Sequence, residues 1–189
     1  MNQEPQYITY LSVDEMFSVN ECQKILNETD LEDPQEAFYL VTDLENPTPA
    51  QTPKVRYLKK TENNAWIGTR IEELILANNP ETYNFDISIV DELHLLEWTE
   101  NYYFDMHYDI GPGIASTRKI SFMVFLNDRK DYTGGELTFH LLQHSSKQKI
   151  PDDMGLLLFF SSYKPFKSEP VTNGKRYVLV GWVHGNHFS

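Results

Sequence analysis

His107 and Asp109 are separated by a single residue and are the first candidate pair of side chains that could bind a metal ion. On an extended strand, residues i and i+2 point to the same face, so an imidazole and a carboxylate at this spacing can converge on one cation. Such a pair supplies two of the three protein donors in a His/His/carboxylate facial triad, which leaves coordination positions of iron open. The same pattern also occurs by chance at solvated strand ends, so the surrounding sequence has to decide between the two interpretations.

Two helices are predicted in the first half of the chain. Ser18 or Asn20 is a suitable N-cap for the first helix, whose apolar face carries Cys22, Ile25 and Leu26. The second helix is predicted from about Ala65 to Asn78, with apolar residues at helical spacing: Ile67, Ile71, Leu74 and Ile75. A proline-rich stretch between the helices, Thr42 to Pro53, reads as a loop.

Strands dominate the chain after Pro80. Short segments rich in aromatic and β-branched residues are separated by Gly and Pro turns. The predicted strands are Ile87–Val90, Leu93–Trp98, Ile120–Leu126, Glu136–Leu142, Gly155–Phe160 and Tyr177–Trp182. Helices followed by several short strands indicate an α+β chain that is mainly β, with an antiparallel sandwich or barrel at its core.

Composition restricts the function classes. The 189 residues include 16 Lys and Arg against 28 Asp and Glu, for a net charge of −12, which disfavours nucleic acid and anionic membrane surfaces as partners. The single cysteine excludes a disulfide framework within the chain and a multi-cysteine zinc site. The first residues have no basic segment followed by an apolar run, and no apolar stretch approaches the ~20 residues of a membrane helix. We expect one cytoplasmic domain.

The segments after Asp109 carry a family resemblance. In order, they are Arg118–Asn127, Asp131–Phe139, Gly155–Ser162 and Pro170–Trp182. In this order and spacing, residues 55–188 resemble the 2-oxoglutarate/Fe(II) dioxygenases of the prolyl 4-hydroxylase and PKHD-type hydroxylase group. The resemblance implies a double-stranded β-helix, a cupin-like jelly roll with supporting N-terminal helices. It also implies one oxygenase-like domain over residues 1–189, with a helical part at about 1–80 and a jelly-roll core at about 85–188.

The resemblance assigns roles to three residues. His107 and Asp109 fall on the first two iron ligands and are the expected metal-binding and catalytic residues, and Arg176 falls on the residue that pairs with the distal carboxylate of 2-oxoglutarate. A guanidinium suits that role because it makes bidentate, charge-assisted hydrogen bonds to a carboxylate. The implied cofactors are Fe(II) and the co-substrate 2-oxoglutarate, with ascorbate as a candidate reductant.

The sequence departs from the family pattern where its distal iron-binding His is expected. That position, four residues before Pro170 and ten before Arg176, holds Phe166, which has no lone pair for a metal. Where the family usually has Tyr, Gly and Tyr ahead of the iron ligands, this chain has Trp98, Asn101 and Phe104. Two hydroxyls are therefore missing, and we expect Trp98, Phe104 and Phe166 to line the co-substrate pocket.

Other side chains could complete the metal site. Glu169 lies near the position of the missing ligand and becomes a candidate oxygen donor if its strand shifts. The remaining histidines are alternatives, although no spacing requires any of them: His94, His140, His144, His184 and His187.

Two functions stay open. The first is an Fe(II)/2-oxoglutarate-dependent oxygenase, an oxidoreductase that hydroxylates a peptide residue, an amino acid or a small metabolite with a reduced ligand set. The second is a catalytically degenerate jelly roll that binds a small carboxylate or a protein partner. Retention of His107, Asp109 and Arg176 favours the first, and the loss of the third ligand favours the second. The sequence decides neither the substrate nor the oligomeric state.

Overall fold

A computed structural model describes residues 10–29, 35–36, 53–90, 93–139 and 150–187. It contains two α-helices, α1 (Val19–Thr29) and α2 (Ala65–Thr82). Most of the predicted loop at 42–53 lies outside the described residues. Neither helix in these ranges is long and apolar enough to cross a membrane.

The described residues contain thirteen strands. In chain order they are β1 (Leu11–Val13), β2 (Gln35–Glu36), β3 (Lys54–Leu58), β4 (Ile87–Val90), β5 (Leu93–Trp98), β6 (Phe104–His107), β7 (Arg118–Phe125), β8 (Tyr132–Gly134), β9 (Leu137–Phe139), β10 (Leu157–Ser161), β11 (Phe166–Ser168), β12 (Val171–Gly174) and β13 (Arg176–Gly185). Short 3-10 helices at Gly113–Thr117 and Arg129–Asp131 precede β7 and β8. The mainly-β character predicted from the sequence is confirmed.

The strands form a large antiparallel sheet and two smaller ones. The large sheet has the order β1-β10-β7-β13-β5-β3-β2, with β4 also paired to β13. A three-stranded sheet has the order β6-β11-β9, and β12 pairs with β8. One face of the large sheet shares a core with the smaller sheets, and its other face packs against α1 and α2. The result is a two-sheet sandwich with the helices packed on its outer face. The residues predicted for the metal and co-substrate site lie between the sheets.

Ser18 caps α1, as predicted, because it exchanges hydrogen bonds with Glu21. The Ser18 backbone N–H donates to Glu21 Oε2 at 2.9 Å, and the Glu21 N–H donates to Ser18 Oγ at 3.3 Å. This reciprocal pair is a capping box. Arg70 on α2 also donates to Glu21 at 2.8 Å and, together with the cap, lowers the pKa of Glu21 to about 2. The cap therefore also joins the two helices.

Helix α2 ends at Thr82, four residues later than the sequence predicted. Pro80 was expected to stop it, since proline lacks an N–H and restricts the preceding residue. The buried Asn79 side chain bonds the backbone of Phe85 twice, through Nδ2 to the carbonyl at 2.8 Å and through Oδ1 to the N–H at 3.0 Å. These bonds tie the last helical turn to the chain that follows it.

The predicted strands Ile87–Val90 and Leu93–Trp98 are confirmed with their bounds, the other predicted strands are present with shifted ends, and several short strands were not predicted. Strand β13 runs three residues beyond the predicted end, and the predicted strand from Glu136 is described only as Leu137–Phe139. No strand was predicted at β1, β2, β3, β8, β11 or β12, none of which exceeds five residues. Such lengths are too short for an alternating pattern to stand out.

Glu97 on β5 is a buried carboxylate held by two cations. Arg56 Nη1 lies 2.9 Å from Glu97 Oε2, and Lys175 Nζ lies 2.9 Å from Glu97 Oε1. Burial by itself raises the pKa of Glu97, but the hydrogen bonds from Lys175 and Arg56 outweigh it, so the pKa is lowered. A lowered pKa in the folded state means that this interaction stabilises the fold above the unfolded pKa of about 4.3 and is lost as the pH falls below it.

We expect Glu97→Gln to lower the free energy of unfolding by about 1–3 kcal/mol at neutral pH, since two charge-assisted bonds are weakened. The difference from the wild type should shrink when the pH is lowered to about 3, because Glu97 is then protonated in the unfolded state and the stability that its lowered pKa in the folded state contributes is progressively lost. Urea unfolding at both pH values measures this, with the exposed Glu100→Gln as control. A difference that is the same at both pH values would contradict the assignment.

Candidate active site

All six residues predicted for the site line one cavity. They are Trp98, Phe104, His107, Asp109, Phe166 and Arg176. The other lining residues come from both sheets: Leu96, Phe122, Met123, Leu137, Ser168, Val178, Val180, Gly181 and Trp182. The cavity thus brings together residues up to 86 positions apart in sequence, from Leu96 to Trp182.

His107 presents one ring nitrogen to the cavity. Its Nδ1 lies 2.7 Å from the carbonyl oxygen of Asp105, which can only accept, so Nδ1 carries the proton and Nε2 keeps its lone pair. Nε2 lies 3.7 Å from Asp109 Oδ1. Two donors that each lie about 2.1 Å from one metal ion are at most about 4.2 Å apart, so this separation permits a shared cation.

Asp109 reaches this position through loop contacts rather than strand geometry. Strand β6 ends at His107, so the same-face spacing expected from an extended strand stops before Asp109. The Asp109 N–H donates to the Ser162 carbonyl at 3.1 Å, and Arg118 Nη1 donates to the Asp109 carbonyl at 3.1 Å. The Arg118 guanidinium is itself stacked on Trp182, 3.6 Å from the ring centroid. These contacts hold the carboxylate beside the imidazole.

Phe166 lies directly against His107. It is the β11 residue opposite His107 in the pairing with β6, and the two ring centroids are 4.3 Å apart. Phe160 packs on its other side at 5.0 Å, and Phe166 is buried. Within the described residues, no group of three or more His, Cys, Asp and Glu side chains is placed to hold a metal.

The alternative donors in the described part of the chain do not line this cavity. Glu169 Oε1 lies 2.6 Å from Lys167 Nζ. The three other described histidines contact different residues: His94 packs between Tyr57 and Trp182, His184 bonds Thr117, and His187 bonds Ser116. His140 and His144 lie outside the described residues.

Arg176 is a fully buried cation with an exposed fraction of 1%. Its Nη1 donates to the Gly135 carbonyl at 2.8 Å and to Ser168 Oγ at 3.0 Å. Within the described residues, its Nε has no hydrogen-bond partner and no carboxylate lies within ion-pair distance. Burial lowers the pKa of Arg176, although the more distant Asp152 carboxylate acts to raise it, and a guanidinium stays charged at neutral pH. A buried charge without a counter-ion is costly, so this geometry favours an anionic ligand.

Sequence analysis missed Gly135 and Ser168 as partners of Arg176. Gly135 is visible in the sequence only as part of a Gly-Gly turn, and it has a φ of 73°, a conformation that favours glycine. A Cβ at Gly135 would lie 3.3 Å from Arg176 Cδ. Ser168 lies on a three-residue strand whose pairing could not be predicted locally.

Asn101 occupies the position where the family pattern has glycine, and it adopts a backbone conformation that suits glycine. It has a φ of 69°, in the left-handed region that asparagine tolerates better than most residues. The Asn101 N–H donates to the Val171 carbonyl at 2.9 Å. This bond fixes the turn between β5 and β6, and Trp98 and Phe104 stack edge-to-face across it with centroids 4.7 Å apart.

Comparison with known proteins confirms the resemblance. Residues 93–184 match the sequence model of the 2OG-Fe(II) oxygenase superfamily. A PKHD-type hydroxylase of Synechococcus sp. (strain CC9902) is 42% identical over 80 residues, which cover 42% of this chain and 35% of the relative. A PKHD-type hydroxylase of Prochlorococcus marinus (strain MIT 9515) is 29% identical over 141 residues, covering 71% of this chain and 62% of the relative. The chain thus aligns with less than two thirds of either relative.

Solved structures share the fold. A Pseudomonas putida prolyl-4-hydroxylase superposes with a TM-score of 0.71 at 17% identity, covering 94% of this chain and 92% of the other. A Trichoplax adhaerens prolyl hydroxylase, solved with a peptide fragment of the hypoxia inducible factor oxygen degradation domain, gives 0.74 at 17% identity, covering 93% and 83%. The predicted double-stranded β-helix with supporting helices is confirmed.

Phe166→His places an imidazole beside His107 and should create a third donor. We expect the affinity for Co(II), measured by absorbance titration without any co-substrate, to rise at least about 10–100-fold, because even second-layer groups change metal affinity by that much. Phe139→His is the matched control, since Phe139 pairs with Phe166 on the neighbouring strand but does not line the cavity. A folded Phe166→His protein with unchanged affinity would show that position 166 does not face the metal.

Proposed function

We propose that this chain, which matches the 2OG-Fe(II) oxygenase superfamily in sequence and fold, is an Fe(II)/2-oxoglutarate-dependent hydroxylase with two protein ligands to the metal. The observation that carries the proposal is Arg176, a buried guanidinium that has no carboxylate of the described residues within ion-pair distance and that lines the same cavity as His107 and Asp109. An anion that binds both a cation and a metal fits this arrangement, and a keto acid with a second carboxylate is such an anion.

The donor set fits Fe(II) in part. His107 Nε2 and Asp109 Oδ1 are 3.7 Å apart and can share one ion, whereas Phe166 offers no donor. The α-keto carboxylate chelates a metal through two oxygens, so it would fill positions that the protein leaves open. When bound, Fe(II) would activate O2, the oxidant, and oxidative decarboxylation of 2-oxoglutarate to succinate and CO2 would supply two of the four electrons that reduce it, the other two coming from the C–H bond that is hydroxylated. Within this scheme His107 and Asp109 hold the ion and Arg176 orients the co-substrate through its distal carboxylate.

The cavity also needs to exclude water, which its aromatic wall would do. Trp98, Phe104 and Phe166 cover the space between Arg176 and the two metal donors with apolar surface. In such surroundings the charge-assisted bonds of Arg176 are stronger than in water. We therefore propose that these three rings shape the co-substrate pocket and exclude water from it.

We infer that the substrate is a residue of a peptide rather than a free metabolite. Two exposed apolar side chains, Met106 and Tyr108, alternate with His107 and Asp109 and leave 41% and 57% of their surfaces accessible. Tyr103 adds a third exposed ring on the same segment. Such a patch offers a peptide contacts beyond the reacting residue, and the Trichoplax adhaerens neighbour was solved with a peptide fragment.

A second function has one specific observation in its favour. Phe166 fills the space beside His107, with ring centroids 4.3 Å apart, where the family pattern has a metal ligand. A jelly roll that binds a small carboxylate at Arg176 without metal would need no donor at that position. Such a module would bind 2-oxoglutarate or a similar acid and catalyse nothing.

An anaerobic titration with Fe(II) and 2-oxoglutarate separates the two functions. Chelation of iron by the keto acid gives a visible charge-transfer band, which we expect to saturate in the wild type and to disappear in His107→Ala, because one of only two protein donors is removed. Absence of the band at high iron and co-substrate would eliminate the hydroxylase and leave the carboxylate-binding module.

If only two protein side chains hold the metal, the Co(II) affinity should depend more strongly on 2-oxoglutarate than it would at a site with three protein ligands. We expect 2-oxoglutarate to raise Co(II) affinity at least about tenfold and, by linkage, Co(II) to raise 2-oxoglutarate affinity by the same factor. Arg176→Gln should reduce this factor while leaving the Co(II) affinity without 2-oxoglutarate unchanged, since Arg176 is not a ligand to the metal. Equal Co(II) affinity with and without 2-oxoglutarate would contradict a two-ligand site.

A further inference from the structure

Trp98 is the cross-strand neighbour of Arg176. It ends β5 and lies opposite Arg176 in the pairing with β13, and the guanidinium carbon of Arg176 is 5.6 Å from the centroid of its ring. Trp98 is 3% exposed and lines the cavity. Any group that Arg176 binds in the cavity therefore lies within reach of the indole.

The indole N–H of Trp98 has no hydrogen-bond partner among the described residues. Seven buried side-chain nitrogen and oxygen atoms of the described residues lack one, and only two belong to residues that line the cavity: Trp98 Nε1 and Arg176 Nε. A buried tryptophan N–H usually finds an acceptor, because leaving it unpaired costs free energy. Two unpaired donors on neighbouring strands of one cavity point to a ligand that accepts from both.

The chemistry of these two groups selects the ligand. An indole N–H and a guanidinium N–H only donate, so the matching group accepts through more than one atom and carries negative charge. A carboxylate meets both conditions, whereas a neutral amide or hydroxyl, with a single acceptor atom, meets neither. Trp98 and Arg176 are opposite one another on β5 and β13, whereas Phe166 and His107 are opposite one another on β11 and β6, and Phe104 contacts both Trp98 and His107.

We propose that Trp98 Nε1 is a ligand-binding donor that holds the distal carboxylate of the keto acid together with Arg176. This inference rests on the proposed function for the identity of the acid. In the family pattern a tyrosine precedes the first iron ligand at this distance, and its hydroxyl is absent here. The indole N–H takes over a hydrogen bond in that part of the pocket, so Trp98 also contributes to selecting a dicarboxylate over a monocarboxylate.

The alternative is that Trp98 is only a wall of the cavity, since its ring also stacks on Phe104. Trp98→Phe separates the two roles, because it keeps an aromatic ring and removes the donor. Trp98→Tyr restores a donor as a hydroxyl. Trp66→Phe is a matched control, since Trp66 Nε1 is likewise buried without a partner but lies on α2, outside the cavity.

The experiment is anaerobic calorimetry with Fe(II)-loaded protein, titrated with 2-oxoglutarate and, separately, with 2-oxopentanoate, which has the same chain length but no distal carboxylate. We expect Trp98→Phe to weaken 2-oxoglutarate binding about tenfold, the value of one charge-assisted bond. It should leave 2-oxopentanoate binding unchanged. Trp98→Tyr should recover part of the loss, and Trp66→Phe should bind both acids like the wild type.

Two results would overturn the inference: equal 2-oxoglutarate affinity in Trp98→Phe and wild type, or the same loss for both acids. The charge-transfer band is recorded in parallel. If 2-oxoglutarate binds without the band and Trp98→Phe still weakens it, the hydroxylase proposal fails while the Trp98 donor stands. If 2-oxoglutarate does not bind at all, both fail.

Discussion

The buried charge of Arg176 is the constraint on which the rest of the site depends. A guanidinium with 1% exposure must be held by polar groups from several directions, and here each comes from a different element. Gly135 follows β8 and Ser168 ends β11, and each supplies an oxygen to Nη1. The long strand β13 fixes the backbone through pairing with β5 and β7. A ligand carboxylate would provide the counter-charge that Arg176 lacks among the described residues. The free-energy cost of burying the guanidinium would then be relieved on binding and would contribute to the affinity for the ligand.

The pairing of β6 with β11 is the second organising feature. Its register shifts between Phe166 and Ser168, so Phe166 opposes His107 while Ser168 opposes Phe104. As a result Phe104 and His107 both line the cavity although they are three residues apart in the chain. The same three-residue strand places Ser168 on Arg176 and Phe166 on His107. One irregular strand therefore determines the surroundings of both ends of the site.

Features that depend on residues close together in the sequence were predicted correctly, whereas features that depend on contacts between distant residues were missed. The strand Leu93–Trp98, the cap Ser18 and the meeting of His107 with Asp109 followed from spacing and residue type. The reason given for that meeting was incomplete, because Asp109 lies beyond the end of β6 and depends on Arg118. Gly135, Ser168 and the length of α2 were missed because each depends on a partner that no local pattern reveals.

Charge balance explains how a site of this kind can lose a histidine. Under the proposed function, Fe(II) and Arg176 carry three positive charges, and Asp109 and the keto acid carry three negative ones. A neutral imidazole at position 166 adds a lone pair but no charge, so Phe166 alters only the number of donors. Replacing Asp109 or Arg176 by an apolar residue would instead leave a net charge in a cavity walled by aromatic rings, where it is poorly solvated. Asp109 and Arg176 are therefore indispensable to the proposed chemistry. The missing histidine at position 166 is different, because an oxygen of the co-substrate can replace the donor atom that it would have supplied.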